Sequence, residues 1–285
     1  MELFASTNCL PNKISLTDKL KLYASAGIFK VDLGAGVTVS EAELSNLYGK
    51  EDYKFQIHNY FPPPEESFVL NLASSDAATV KLSQAMATNA VDLLTKLNGT
   101  IYSVHPGFVT DPTGFGGISF TFPPPKSPKD RIMAMERFIS NLRSLASHAE
   151  RQNIQLIVEN QVIDRDLNGK ILLDTASEFL DLFHSIPSSA LGMLLDTGHL
   201  NVTSNTLGFD RIEFIERLAP HIRSMHVHDN DGTADYHRPI KPNSWILEVL
   251  KHPLLKSIPV VIEAKFESLQ DLQRHFFWLQ DQIQG

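Results

Sequence analysis

The sequence predicts an α/β protein, a single (β/α)8 TIM-barrel domain over residues 1–285. Three observations carry that prediction. Short apolar runs that end in polar residues alternate with helical patterns, and their lengths suit strands buried between helices. There are eight such runs, the number that closes a barrel of this type. Polar chemistry recurs at the C-terminal ends of six consecutive runs, where the loops of a barrel converge on the substrate. A doubly wound open sheet is the rival architecture, and the last observation favours the barrel over it.

The strand candidates are 2–6, 28–33, 53–58, 101–105, 155–160, 191–196, 223–228 and 259–263. The second carries both Lys30 and Asp32, unusual inside an apolar run. Ser127-Pro128 with Asp130 is a start signal for a helix running to about Gln152, with Ile132, Ile139, Leu142, Leu145 and Ala149 as its core-facing stripe. Residues 76–97 read as a helix that Gly99 is placed to end. Shorter helices fit near 16–26, 40–48, 175–185, 208–218, 244–251 and 267–282, with Pro187 and Pro220 as stops. Phe61-Pro62-Pro63-Pro64 and residues 107–128 interrupt the alternation. With Gly114, Gly116, Gly117 and Pro123-Pro124-Pro125, the second stretch suggests a rigid rim loop. Phe115, Phe120 and Phe122 either cover a pocket there or pack the loop on the barrel surface.

Composition narrows the function. Apolar residues make up 42% and charged residues 20%, as in a globular chain that can bury a substantial core. The net charge of −8 argues against a uniformly basic nucleic-acid surface, though not against a local basic groove. The single cysteine, Cys9, cannot form an internal disulfide. With no export signal and no 18-residue apolar span, the expectation is a cytoplasmic protein without a membrane partner.

The polar motifs are His58-Asn59-Tyr60, His105-Pro106-Gly107, Glu159-Asn160, Asp196-Thr197-Gly198-His199, His226-Val227-His228-Asp229, Asp235-Tyr236-His237 and Glu263. Each alone is as well explained by a hydrogen-bonded structural residue. Together they gather imidazoles and carboxylates, and a bound divalent cation offsets the cost of crowding carboxylates. Asp196 and His199 face inward together if the chain turns after Asp196, and His226 and His228 share strand parity. The remaining histidines, His148, His184, His221, His252 and His275, read as packing or surface residues.

These motifs resemble those of the xylose-isomerase-like TIM barrels, a group of sugar isomerases, sugar epimerases and endonuclease IV, over nearly the whole chain. The metal-site pattern is most similar to endonuclease IV. That resemblance implies a trinuclear ligand set of His58, His105, Glu159, Asp196, His199, His226, Asp235, His237 and Glu263, with Asn71-Leu72-Ala73 following the first histidine. His228 is an addition to the pattern. Resemblance to the epimerases implies a smaller set of Glu159, Asp196, His226 and Glu263, in which the two glutamates also exchange substrate protons.

Two chemistries follow. The preferred one is isomerisation or epimerisation of a small, polar, sugar-like carbonyl compound through an enediolate, with Glu159 and Glu263 as the proton-transfer pair and Mn, Mg or Co as the cation. His199, His228, Arg238 and Lys265 are then candidates for binding hydroxyls or a phosphate, surface salt bridges being the competing reading. The alternative is phosphodiester hydrolysis by up to three Zn, the one reading in which nucleic acid is a partner. Against it, Ala5-Ser6-Thr7-Asn8-Cys9 stands where the endonucleases carry Gly-x-His-x-Ser, and Asp32-Leu33-Gly34-Ala35-Gly36 replaces a Lys-Asn region. A sugar-binding protein without turnover is a third option. Association into a homodimer is an expectation from the related epimerases.

Overall fold

A computed structural model of the chain describes residues 1–36, 39–116, 119–125 and 127–284. In chain order, its elements begin with β1 (Leu3–Ser6), α1 (Leu16–Ser25), β2 (Lys30–Leu33), α2 (Glu41–Ser45), β3 (Lys54–His58), α3 (Ala77–Lys96) and β4 (Ile101–Val104). A small insertion follows, β5 (Gly114–Gly116) and β6 (Ser119–Thr121), and then α4 (Lys129–Arg151), β7 (Gln155–Glu159), α5 (Ala176–Ser185) and β8 (Leu191–Asp196). The chain ends with α6 (Thr197–Leu207), α7 (Arg211–Leu218), β9 (Ile222–Val227), α8 (Ile246–Leu250), β10 (Val260–Ile262) and α9 (Leu269–Gln284).

Strands β1, β2, β3, β4, β7, β8, β9 and β10 pair in that order, all in parallel, and β10 returns to β1 to close a barrel. All eight expected strands are present. The helices pack outside. Side chains of one strand parity, such as Val31, Ile57, Tyr102, Val158, Leu195 and Val227, join the helices in the main core. Ile101, Ile157 and Leu194, of the opposite parity, form a separate cluster, which is the plug of the barrel interior.

The helix signals worked through caps. Asp76 accepts the Thr79 N–H at 2.8 Å to open α3. Ser127 Oγ accepts the Lys129 N–H at 3.1 Å, while Asp130 accepts the Ser127 N–H at 3.0 Å, at the start of α4. Gly99 helps to end α3 as expected from sequence, donating its N–H to the Leu94 carbonyl at 2.9 Å. Asn98 takes the left-handed conformation with φ 53°, and Gly99 is there because a Cβ would lie 2.6 Å from the Phe55 carbonyl oxygen. The stripe of α4 needs correction. Leu142, Leu145 and Ala149 are buried and Ile139 packs against the core, but Ile132 is 61% exposed. Ala134 fills the core position in that turn, about 160° around the helix from Ile132.

Two elements were not foreseen. α6 starts directly at the end of β8, where a turn into loop was expected. β5 and β6 form an antiparallel hairpin inside the 107–128 stretch. Gly117 and the Phe115 side chain lie outside the described residues. Phe122 packs 5.0 Å from Phe108, in a loop cluster with Ile163 and Ile171, and Phe120 is 6.2 Å from Phe108. For Phe120 and Phe122 the loop-packing alternative is the one observed. No helix among the described residues is long and apolar enough to cross a membrane.

Candidate metal centre

Strand periodicity builds the site. On the parity of the interior plug, one step further toward the C-terminal ends, stand Gln56, His58, Ser103, Glu159, Asp196 and His226, all buried. Glu263 follows β10 directly and donates its N–H to the Val227 carbonyl at 3.2 Å. α6 brings in His199. Asp196 caps that helix by accepting the His199 N–H at 2.7 Å, and the helical i, i+3 spacing puts both side chains on one face. Asn160 clamps Asp196 from the neighbouring strand, accepting its N–H at 2.8 Å and donating to its carbonyl at 2.9 Å.

Glu159, Asp196, His226 and Glu263 each bring one ligand atom within 4.8 Å of every other. Three carboxylates this close, with essentially no water access, strongly favour a cation. Glu159 is fully buried and its Oε1 has no hydrogen-bond partner. His226 Nδ1 lies 3.0 Å from Glu263 Oε2 and 3.9 Å from Glu159 Oε1. Burial disfavours a charged His226, but the Glu263 carboxylate outweighs it and pushes the imidazole up to about 10. Burial likewise opposes ionisation of Glu263, yet His226 holds its carboxyl well below the usual range. Glu159 is held at about 2, because His58, His199 and His105 overcome its burial. The donor set therefore fits a divalent cation: anionic oxygens, one imidazole and an orphaned oxygen converge.

Two groups flank this centre. On one side His105 Nε2 is 3.0 Å from Glu159 Oε2 and 3.2 Å from His58 Nε2, while His58 Nδ1 bonds Ser103 Oγ at 2.8 Å. Burial takes the His58 imidazole down to about 4. On the other side Asp235 Oδ2 lies 2.9 Å from His237 Nε2 and 3.5 Å from His199 Nε2, and Asp235 Oδ1 lies 3.6 Å from His228 Nδ1. The nine expected ligands thus gather in one basin, in two lobes joined by Glu159 and Asp196.

The expected substrate contacts fare differently. His228 is completely buried, with Nε2 3.1 Å from Asp196, so it offers no edge to a substrate in the mouth. Arg238 directs its guanidinium to Asp231 at 3.3 Å and lies 4.2 Å from the Tyr236 ring centroid, the surface salt bridge weighed against a ligand role. Lys265 is exposed. Asp32 escaped sequence reasoning as a site residue. It is 1% exposed, its Oδ2 is unpartnered, and burial pushes its carboxyl up to about 7. Its register with Ser6 and Gln56 marks the inward parity, but that register is not visible in a run flanked by Lys30 and Leu33. Asn8 also reaches the centre, donating from Nδ2 to Glu263 Oε1 at 3.5 Å while its Oδ1 accepts the Gly36 N–H at 3.1 Å.

A closed parallel barrel whose mouth gathers imidazoles and carboxylates defines the class. Residues 25–278 match the xylose isomerase-like TIM barrel family, and the chain belongs to it. It is 26% identical over 184 residues to the uncharacterised protein MJ1311 of Methanocaldococcus jannaschii, covering 64% of this chain and 56% of that protein. The chain therefore spans little more than half the length of that relative. Among solved structures it is similar to a D-tagatose 3-epimerase-like protein, with a TM-score of 0.76, 22% identity, and coverage of 100% of this chain and 97% of that one. It is also similar to D-psicose 3-epimerase from Clostridium cellulolyticum H10, solved with D-tagatose, with a TM-score of 0.67, 15% identity and coverage of 96% and 89%.

Proposed function

We propose that this protein is a divalent-metal-dependent epimerase or isomerase of a small, sugar-like polyhydroxy carbonyl compound. The observation that carries the reading is the buried set of Glu159, Asp196, His226 and Glu263, which places two glutamates around one cation-binding position. The fold shared with 3-epimerases of ketoses supports it. When held by these four side chains, Mn, Mg or Co would stabilise negative charge on the substrate oxygens beside the reacting carbon.

The chain's own residues then handle the proton. One glutamate, as carboxylate, takes the proton from the carbon next to the carbonyl, and electrons move toward the carbonyl oxygen to give an enediolate. The other glutamate, which takes up a proton with the substrate because the free site holds both carboxylates ionised, gives that proton to the opposite face of the same carbon for epimerisation. Their protonation states are exchanged at the end of the turnover. Asn8 Nδ2 holds Glu263 Oε1 from one side, which limits the carboxylate to orientations useful for transfer. Burial keeps bulk water away from the intermediate.

A second reading, phosphodiester hydrolysis with up to three zinc ions, draws on one observation. His58 and His105 extend the centre beyond the four ligands an epimerase site uses. Metal analysis and turnover measured on one preparation separate the readings. Interconversion of ketoses supported by an exchangeable Mn, Mg or Co ion is expected. Cleavage of abasic duplex DNA by a protein holding three tightly bound zinc ions would overturn the epimerase assignment.

A further inference from the structure

We propose that Lys19, with Tyr23 beside it, is a positioning residue that sets Asn8 against Glu263. Its effect on catalysis rests on the epimerase reading; its hold on the backbone does not.

The core face of α1 carries Leu16, Lys19, Leu20 and Tyr23, all buried, at the i, i+3, i+4, i+7 spacing of an apolar stripe. Lysine is out of place in such a stripe. Its side chain is fully buried, and taking an ammonium out of water is unfavourable unless hydrogen bonds replace the lost hydration. Lys19 also stands near the start of the helix, the end that disfavours a cation. An aliphatic residue would pack α1 with less penalty, so the reason for Lys19 lies in what it holds.

Its Nζ donates to the Thr7 carbonyl at 2.6 Å and to the Leu10 carbonyl at 3.0 Å. Tyr23, one turn further along the same face, donates its hydroxyl to the Ser6 carbonyl at 2.7 Å. The Cys9 carbonyl accepts the Phe266 N–H at 2.9 Å. Four carbonyls of the 6–10 segment are thus gripped at the end of β1, where the chain makes a single 3-10 turn over Thr7–Cys9. Hydrogen bonds from an ammonium are roughly twice as strong as neutral ones, which makes Lys19 the main fastening of that turn.

Asn8 sits in the middle of the turn, with its amide fixed at both ends. Its Oδ1 accepts the Gly36 N–H at 3.1 Å and its Nδ2 donates to Glu263 Oε1 at 3.5 Å. Beside it, Thr7 Oγ1 accepts the Gly34 N–H at 2.9 Å. The facing loop is shaped for this side chain, since a Cβ at Gly34 would lie 2.7 Å from Asn8 Nδ2. The contact with Glu263 is at the outer limit of a hydrogen bond, so even a small outward shift of the turn breaks it. Loss of Lys19 would relax the turn and free Glu263 Oε1. Proton transfer would slow, although no group touching metal or substrate had been removed.

Hydrogen exchange by NMR and steady-state turnover of Mn-loaded Lys19→Met, Asn8→Ala and the double variant test this. In Lys19→Met the Gly34 and Gly36 amides are expected to exchange about tenfold faster than in wild type, with the amides of β7 and β8 unchanged. Its kcat should fall about tenfold with KM and bound Mn unchanged, and the double variant should be no slower than Asn8→Ala. Wild-type exchange at Gly34 and Gly36, or losses in kcat that multiply in the double variant, would overturn the proposal. A wild-type protein that turns over no ketose would remove the epimerase reading, while exchange at the two glycines would still decide whether Lys19 positions the turn. Should Lys19→Met fail to fold, Tyr23→Phe takes its place. Faster exchange at both glycines is then expected, and wild-type exchange would contradict the proposal.

Discussion

Glu263 and Glu159 differ from ordinary buried acids in being pulled to the ionised side by imidazoles rather than driven neutral by burial. Glu263→Gln should therefore keep the shape of the centre but lose proton transfer, lowering kcat by about 10²–10⁴-fold in protein shown to retain its metal. Steady-state turnover with metal quantified alongside checks this. Away from the site, His275 makes a cleaner titration experiment. Its ring lies between Phe266 and Trp278, at 5.3 and 5.2 Å, its Nε2 has no partner, and burial takes it down to about 4 from a usual value of 6.5. A folded-state value below the unfolded one means that the unfolded chain binds the proton first. The associated stability is complete above pH 6.5 and is lost as pH falls toward 4, up to about 3 kcal/mol. His275→Phe should flatten that part of the stability profile, measured by denaturant unfolding between pH 7 and 4. At this scale the sequence revealed the ligand types, because polar residues ending apolar runs stand out. It did not reveal Asp32 or the burial of His228, which depend on register between strands distant in sequence.

Among the elements, the strands were readable because each is a short apolar run, and α3 because Asp76 caps it. α6 was not. From Thr197 to Ser204 every residue is buried, so the segment lacks a polar face, and its Gly, Asn, Thr and Ser residues mimic loop composition. The same helix sets the spacing of Asp196 and His199, so missing it left their convergence conditional on a turn. The phase of α4 gives a direct check on the corrected stripe. Phe138→Ala, in the core, should cost about 3–5 kcal/mol, whereas Ile132→Ala, on the exposed face, should stay within about 0.5 kcal/mol. Chemical denaturation of the two variants measures both.

For the molecule as a whole, barrel closure turns a repeated local pattern into one basin. The interior plug of Ile101, Ile157 and Leu194 supports a polar layer that includes Glu159, Asp196 and His226. Crowded carboxylates and imidazoles should make the metal-free protein less stable than the metal-loaded one, by about 3 kcal/mol at a cation concentration a hundred times its Kd. A chelator should accordingly lower Tm, and calorimetry with and without added Mn reads the difference. The central claim concerns a proton on carbon, and solvent isotope incorporation addresses it most directly. Ketose incubated in D2O with Mn-loaded protein should acquire deuterium at the epimerised carbon, visible by NMR, and should not do so with Glu263→Gln. A panel of ketoses left unlabelled and unconverted by fully metal-loaded wild type would contradict the account.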